Sequence, residues 1–204
     1  MLGFYNYTVY LTYIGLLSAI FGIYCSAAGD IKRAAVCLLF SGLCDMFDGK
    51  IARTKKDRTE EEKNFGIQID SLCDTVCFGV LPAAIFLSFD QLKLWQVLVA
   101  GLFVLCGIIR LGYFNVTEEA RQKKTTEKRS AYSGLPITAS AVAIPLVIAL
   151  RNVLGSAFQA VYCGMLALLG ICYITPFNIK KPGVWGGIVL ICAGIIILGL
   201  IFIL

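Results

Sequence analysis

The chain has 204 residues, of which 58% are hydrophobic and 15% are charged, and its mean hydropathy is +0.81. Soluble domains are about half apolar and about a quarter charged, so the composition excludes an ordinary soluble domain and indicates a polytopic membrane protein. We attribute the net charge of +5 to a basic membrane face that meets anionic lipid or substrate phosphate, and not to nucleic-acid binding.

Seven apolar segments are candidate membrane helices, since a spanning helix needs about 20 residues. They cover residues 8–28, 31–54, 65–89, 93–114, 134–150, 155–175 and 184–204. The fifth segment is the shortest and is interrupted by proline. The first lacks a basic leader and a small-residue cleavage site, which favours a retained helix over a signal peptide. We therefore predict an all-α bundle of six to seven transmembrane helices, forming one domain over residues 1–204.

Basic residues are concentrated in the loops on one side of these segments. Residues 50–63, 110–129 and 180–181 contain 14 of the 18 Lys and Arg residues. The other four are Lys32, Arg33, Lys93 and Arg151. The positive-inside rule places the richly basic side in the cytoplasm. Seven spans then give a cytoplasmic N-terminus and an external C-terminus.

The cysteines and the absence of histidine argue against a zinc site. Nine cysteines lie almost entirely within the apolar segments, no CxxC pair occurs, and the chain contains no histidine. Structural zinc sites need paired thiolate or imidazole ligands. We expect reduced cysteines that pack as small hydrophobic residues.

Four aspartates lie near the ends of the second and third segments. Asp45 and Asp48 are spaced i, i+3, and Asp70 and Asp74 are spaced i, i+4, so each pair shares a helix face. With a rise of about 1.5 Å per residue, all four reach the same half of the membrane. The predicted orientation makes this the cytoplasmic half. Ionisable residues at such a depth indicate a functional site.

Clustered carboxylates in a low dielectric would neutralise or move apart unless cations lay among them. Oxygen ligands without histidine or thiolate suit Mg²⁺, Mn²⁺ or Ca²⁺. Two divalent ions would balance four carboxylates, and a two-metal site clamps the oxygens of a phosphoryl displacement. In the alternative interpretation, the aspartates are ordinary helix-end charges that pair with Lys50, Arg53 or Lys55. Each aspartate pair shares a helix face and both pairs lie at the same depth, which argues against this interpretation.

The residues around the aspartates resemble the signature of the CDP-alcohol phosphatidyltransferase family. The chain contains, in order, Asp45-x-x-Asp48-Gly49-x-x-Ala52-Arg53 and Gly66-x-x-x-Asp70-x-x-x-Asp74. Every signature position is filled. Twelve residues separate Arg53 from Gly66, where the family usually has about eight, and the extra four amount to about one helical turn. They fall in the charged stretch TKKDRTEEEKNF.

The resemblance implies an enzyme that moves a phosphatidyl group from CDP-diacylglycerol to an alcohol and releases CMP. It implies two Mg²⁺ or Mn²⁺ ions held by the four aspartates, with Asp74 also acting as the catalytic base. It further implies a homodimer. We expect a bacterial or archaeal cell membrane, and the orientation predicted from the basic loops places the active site on the cytoplasmic side.

The resemblance also assigns the small and basic residues of the signature to substrate binding. Gly49, Ala52 and Arg53 would lie along the cytidine and the diphosphate. Small side chains leave room for a flat base, and the Arg53 guanidinium offers a fork for phosphate. Gly66 would let a ligand or a second helix come close to the second aspartate pair.

Three flanking stretches bear on the acceptor alcohol: FGIQIDSLCDTVCFGVLPA (65–83), IIRLGYFNV (108–116) and YSGLPITASA (132–141). They resemble the phosphatidylserine synthase branch of the family. The first matches closely over its whole length. The second departs at residues 112–113, where Gly-Tyr replaces Ala-Arg, and the third departs at residues 137–138, where Ile-Thr replaces Ser-Pro. Serine is therefore the predicted acceptor.

Arg110 and Asn115 are the candidate ligands of a serine carboxylate, although Arg110 could instead reach lipid headgroups. Glycerol phosphate and an inositol phosphate are the alternative acceptors. A cation transporter is the alternative from a different class. An ion path needs carboxylates spread through the membrane, whereas these lie at one level beside Gly49 and Arg53, and no inverted repeat is evident. The sequence therefore favours the transferase.

Overall fold

The structure, a computed structural model, describes residues 3, 7–52, 54–55, 57, 59–122, 131–180 and 184–203. Its α-helices are α1 (Tyr10–Ala27), α2 (Ile31–Ala52), α3 (Glu60–Asp74), α4 (Leu81–Leu87), α5 (Leu94–Gln122), α6 (Ser140–Ala149), α7 (Arg151–Leu154), α8 (Phe158–Ile174) and α9 (Val184–Ile203). A π-helical segment, Thr75–Val80, joins α3 to α4. Short 3₁₀ turns precede α1, α6 and α8. All seven predicted segments are helical.

The protein is a polytopic helical membrane protein. Among the described residues, the stretches that are long and apolar enough to cross a membrane are Tyr7–Ala27, Glu60–Leu87, Leu94–Glu118, Arg151–Ile174 and Gly186–Ile203. The segment Ile137–Ala149 is apolar but shorter, and it contains Pro145, as the sequence predicted. Helix α2 has 22 residues, or about 33 Å at the helical rise. It is long enough to cross a membrane, but its charged residues make it less apolar than these stretches.

The turn that follows α2 meets the start of the first helix at one end of the bundle. The Tyr7 hydroxyl lies 3.0 Å from the Thr54 hydroxyl, which joins the start of the first helix to the end of α2. At the opposite end, the rings of Phe86, Phe89 and Tyr162 contact one another with centroids 5.3–5.5 Å apart. The turn that follows α2 and the aromatic cluster therefore mark opposite ends.

Two short strands were not predicted from the sequence. Strands β1 (Ala131–Ser133) and β2 (Asn178–Lys180) pair antiparallel, with Ala131 opposite Lys180. Gly134 follows β1 with a φ of +77°, and its N–H donates to the Phe177 carbonyl at 2.7 Å. Strands of three residues are too short to show an alternating pattern. The pair joins the α5–α6 connection to the α8–α9 connection.

The stretch that lengthens the signature supplies the start of α3. Thr59 is its N-cap: the Glu62 N–H donates to the Thr59 hydroxyl at 3.1 Å, and the Thr59 N–H donates to the Glu62 carboxylate at 3.3 Å. Lys55 Nζ also lies 2.8 Å from Glu62 Oε1. The third helix therefore begins at Glu60, five residues before the predicted apolar segment, because a capping box stabilises its polar first turn.

Small residues let α1 and α6 approach α2 closely. A Cβ placed on Gly15 of α1 would lie 3.3 Å from the Cys44 Cβ of α2. A Cβ placed on Gly42 of α2 would lie 2.7 Å from the Ala141 Cβ of α6. Such close helix contacts are typical of membrane bundles, where packing drives association. Helix α2 is thus held on two sides next to its aspartates.

We expect Gly42→Ala to destabilise the protein, because the new methyl group would overlap the Ala141 side chain. Overpacking of this kind costs about 1–3 kcal/mol. Gly101→Ala is the matched control, since a Cβ there meets nothing within 4 Å. Thermal unfolding in detergent should show a lower midpoint for Gly42→Ala alone. Equal midpoints for the two variants would contradict the close α2–α6 contact.

Candidate active site

Three carboxylates converge between α2 and α3. One carboxylate oxygen from each of Asp45, Asp70 and Asp74 lies within 4.8 Å of the others. All three residues are half-buried. Asp45 belongs to α2, whereas Asp70 and Asp74 share one face of α3, as their i, i+4 spacing predicts. The structure therefore brings together carboxylates from both sequence pairs.

Asp48 lies beside this group and is held by α1. Its side chain is buried, at 8% exposed, and its Oδ2 accepts a hydrogen bond from the Thr12 hydroxyl at 3.1 Å. Its carboxyl group is also in hydrogen-bonding contact with that of Asp70. Sequence reasoning missed Thr12, because a threonine in an apolar segment does not reveal its partner.

The cavity behind the carboxylates is small. It offers about 10 Å³ to the centre of a water-sized sphere, which is the room needed by about one water molecule. Its walls include Thr12 and Ser41 and the buried side chains of Cys73, Cys77 and Phe78. This cavity is therefore too small for a substrate.

Arg110 and Asn115 of α5 lie near the helices that carry the aspartates. Arg110 is half-buried, its guanidinium carbon lies 5.4 Å from the Phe114 ring centroid, and its charge acts on Asp45 and Asp74. Asn115 Oδ1 accepts a hydrogen bond from the Ser71 hydroxyl at 3.0 Å. This bond ties α5 to α3 one residue after Asp70. The assignment of Arg110 and Asn115 to serine binding stays a prediction.

The remaining predicted site residues lie toward the loop end of the same helices. Gly49 and Ala52 are half-buried in the last turns of α2, and Gly66 is half-buried one turn before Asp70. Arg53 lies outside the described residues. The assignment of these residues to substrate binding stays a prediction.

The carboxylate group fits a divalent cation. All of its donors are oxygens, which are the ligands that Mg²⁺, Mn²⁺ and Ca²⁺ prefer. Metal–oxygen bonds of about 2.0–2.6 Å allow two ligands on one ion to lie up to about 5 Å apart. The 4.8 Å limit on the oxygen separations meets this requirement. The three aspartates therefore form an acidic cluster that can hold a metal ion.

Comparison with known proteins gives the family. The family model for CDP-alcohol phosphatidyltransferase matches residues 5–172. The chain belongs to this family. Its members are phosphatidyltransferases, so the transporter alternative is set aside.

Curated relatives carry related names. A CDP-diacylglycerol–serine O-phosphatidyltransferase from Helicobacter pylori strain J99 is 29% identical over 181 residues, which cover 86% of this chain and 70% of the relative. An archaetidylserine synthase from Methanothermobacter thermautotrophicus is 35% identical over 135 residues, covering 66% of this chain and 54% of the relative. A CDP-diacylglycerol–serine O-phosphatidyltransferase from Saccharomyces cerevisiae is 36% identical over 108 residues, covering 52% and 38% respectively.

Replacing Thr12 should weaken metal binding through Asp48. Thr12→Val keeps the shape of the side chain but removes the hydroxyl that holds Asp48 Oδ2. Loss of a group that orients a metal ligand typically costs about 10–100-fold in metal affinity. Titration of Mg²⁺ against the thermal unfolding midpoint should show this loss, and Thr12→Ser should restore wild-type binding. Unchanged Mg²⁺ affinity in Thr12→Val would show that this hydrogen bond does not position Asp48.

Proposed function

We propose that the chain transfers the phosphatidyl group of CDP-diacylglycerol to the hydroxyl of L-serine, forming phosphatidylserine and releasing CMP. The convergence of Asp45, Asp70 and Asp74 in a member of this family carries the proposal. Two observations support serine as the acceptor: the names of the curated relatives and the close resemblance of residues 65–83 to the serine branch.

The four aspartates hold two divalent ions, Mg²⁺ or Mn²⁺, in this proposal. The ions supply positive charge to the diphosphate and to the oxygens of the displacement. The oxygen-only donor set supports this assignment. The buried Thr12–Asp48 hydrogen bond orients one ligand, as outer hydrogen bonds commonly do at metal sites.

Asp74 acts as the base on the serine hydroxyl. A carboxylate oxygen of Asp74 takes the hydroxyl proton while the serine oxygen forms a bond to the phosphorus of the phosphatidyl group. The bond from that phosphorus to the oxygen of CMP breaks, and CMP leaves with the electron pair. The cytidine and the diphosphate lie along Gly49, Ala52 and Arg53, and Gly66 leaves room beside the second aspartate pair.

Serine is oriented by α5. The charge of Arg110 acts on Asp74, so a serine carboxylate paired with Arg110 directs its hydroxyl toward the base. Asn115 accepts from Ser71 through its oxygen, and its amide N–H groups can therefore donate to the same carboxylate. In this proposal, one helix supplies both a cation and a hydrogen-bond donor to an amino-acid acceptor.

We further propose that the active site faces the cytoplasm of a bacterial or archaeal cell and that the protein is a homodimer. The basic residues of the loops at the aspartate end support the orientation, because positive loops stay inside. The relatives from bacteria and archaea support the source membrane. The homodimer rests on the family resemblance.

An acceptor panel tests the proposal directly. Purified protein with CDP-diacylglycerol and Mg²⁺ should release CMP with L-serine, but not with glycerol phosphate or an inositol phosphate. Excess chelator should abolish the release, and added Mg²⁺ or Mn²⁺ should restore it, because the carboxylates repel one another without cations. Release with another alcohol would reassign the acceptor, and full turnover in chelator would refute the two-metal site.

Asp74→Asn tests the base. The substitution keeps the size of the side chain but removes its ability to take the hydroxyl proton. Turnover should fall by about 10²–10⁴-fold, as is typical when a general base is lost. Binding of CDP-diacylglycerol with metal should survive, whereas Asp45→Asn and Asp48→Asn should weaken it.

Asp57→Asn, at an exposed loop position, is the matched control and should leave both turnover and binding unchanged. Near-normal turnover of Asp74→Asn at saturating serine would show that Asp74 is not the base.

A further inference from the structure

A second cavity lies at the end of the bundle opposite the aspartates. It opens between the start of α2, the end of α6 with α7, and the end of α9. Its lining residues are Ile31, Lys32, Ile148, Ala149, Arg151, Asn152 and Ile201. It offers about 50 Å³ to the centre of a water-sized sphere, several times the room behind the carboxylates. Lys32 and Asp45 are separated by about 20 Å of helix, so this cavity is distinct from the active site.

The cavity combines an apolar floor with a cationic rim. Ile31, Ile148 and Ile201 of the floor are buried, whereas Lys32 and Arg151 of the rim are exposed. The two basic residues come from distant parts of the chain, and folding brings them to one opening. They are two of the four basic residues that the sequence places on this side of the membrane. Their convergence is therefore a specific feature of the fold.

The positive charge at this rim has no acidic partner within the described part of the chain. The neighbouring Arg33 pairs with Asp30 at 3.0 Å, whereas Lys32 and Arg151 make no ion pair there. The Arg151 guanidinium carbon lies 5.6 Å from the Phe158 ring centroid, so stacking holds this cation beside the opening. Two adjacent cations that lack a carboxylate attract an anion.

We propose that this cavity binds the phosphate of an anionic phospholipid headgroup in the leaflet opposite the active site. Helix ends in a membrane protein lie at the level of the headgroups, and basic pockets between transmembrane helices bind anionic headgroups. The apolar floor receives the glycerol and the first acyl carbons, which a free phosphate ion lacks. Lys32 and Arg151 contact the phosphate oxygens, and the Asn152 side chain lies at the same rim.

The test is a titration of phosphatidylglycerol into the detergent-purified full chain, with the thermal unfolding midpoint as the readout. Each Lys or Arg near a charged lipid surface adds to the affinity for that lipid. Lys32→Gln or Arg151→Gln should therefore weaken the apparent affinity for phosphatidylglycerol by about 5-fold, and the double variant should weaken it by about 25-fold. Lys93→Gln is the matched control, because Lys93 lies at the same end and does not line the cavity. It should bind like the wild type.

Two further arms separate the headgroup from other ligands. Phosphatidylcholine and inorganic phosphate should each stabilise the protein less than phosphatidylglycerol does. Arg151→Lys, which keeps the charge, should retain most of the effect even if Arg151→Gln folds poorly. If Arg151→Gln does not fold, Lys32→Gln tests the proposal. Lys32 is exposed, so its substitution should not disturb folding.

Three outcomes would overturn the proposal. The first is wild-type lipid affinity in the double variant, or in Lys32→Gln where Arg151→Gln does not fold. The second is an equal loss in Lys93→Gln. The third is equal stabilisation by inorganic phosphate. All of these variants share an unchanged substrate site, so lipid bound there cannot account for a difference among them.

Discussion

Repulsion among carboxylates inside a membrane bundle is the constraint on which the rest of this structure depends. Asp45, Asp70 and Asp74 place their oxygens within 4.8 Å of one another, and Asp48 adjoins them. Charges so close in a low dielectric tend to separate or to neutralise. The arrangement therefore depends on a rigid framework around it, and the helices supply that framework.

Helix α2 is the centre of that framework, because it packs tightly on two sides at the depth of its aspartates. Gly15 of α1 leaves room for Cys44, and Gly42 of α2 leaves room for Ala141 of α6. Rotation of α2 would therefore bring its side chains into overlap with α1 or with α6. The Thr12 and Ser71 hydrogen bonds fix Asp48 and the α3–α5 contact. Close packing thus fixes the positions of the carboxylate oxygens. A metal site with strict ligand distances requires fixed positions of this kind.

The sequence predicts the helices and the paired aspartates because both depend on local patterns. Apolar length marks membrane segments, and i, i+3 or i, i+4 spacing marks a shared face. The β1–β2 pair and the Thr12–Asp48 bond depend on contacts between distant residues, which no local pattern contains. The start of α3 is different: Thr59 and Glu62 form a capping box, whose spacing was readable from the sequence.

Three of the four residues that depart from the serine-branch pattern lie on the surface of α5 or in the packed core. A Cβ on Gly112 would meet nothing within 4 Å, and Tyr113 is 60% exposed, so both lie on the outer surface of α5. Ile137 is buried and accepts the Tyr173 hydroxyl at its carbonyl, which is a packing role. By contrast, the charge of Arg110 acts on Asp45 and Asp74, and Asn115 is bonded to Ser71, the residue after Asp70. These three substitutions therefore alter the surface of α5 and the packing of the bundle.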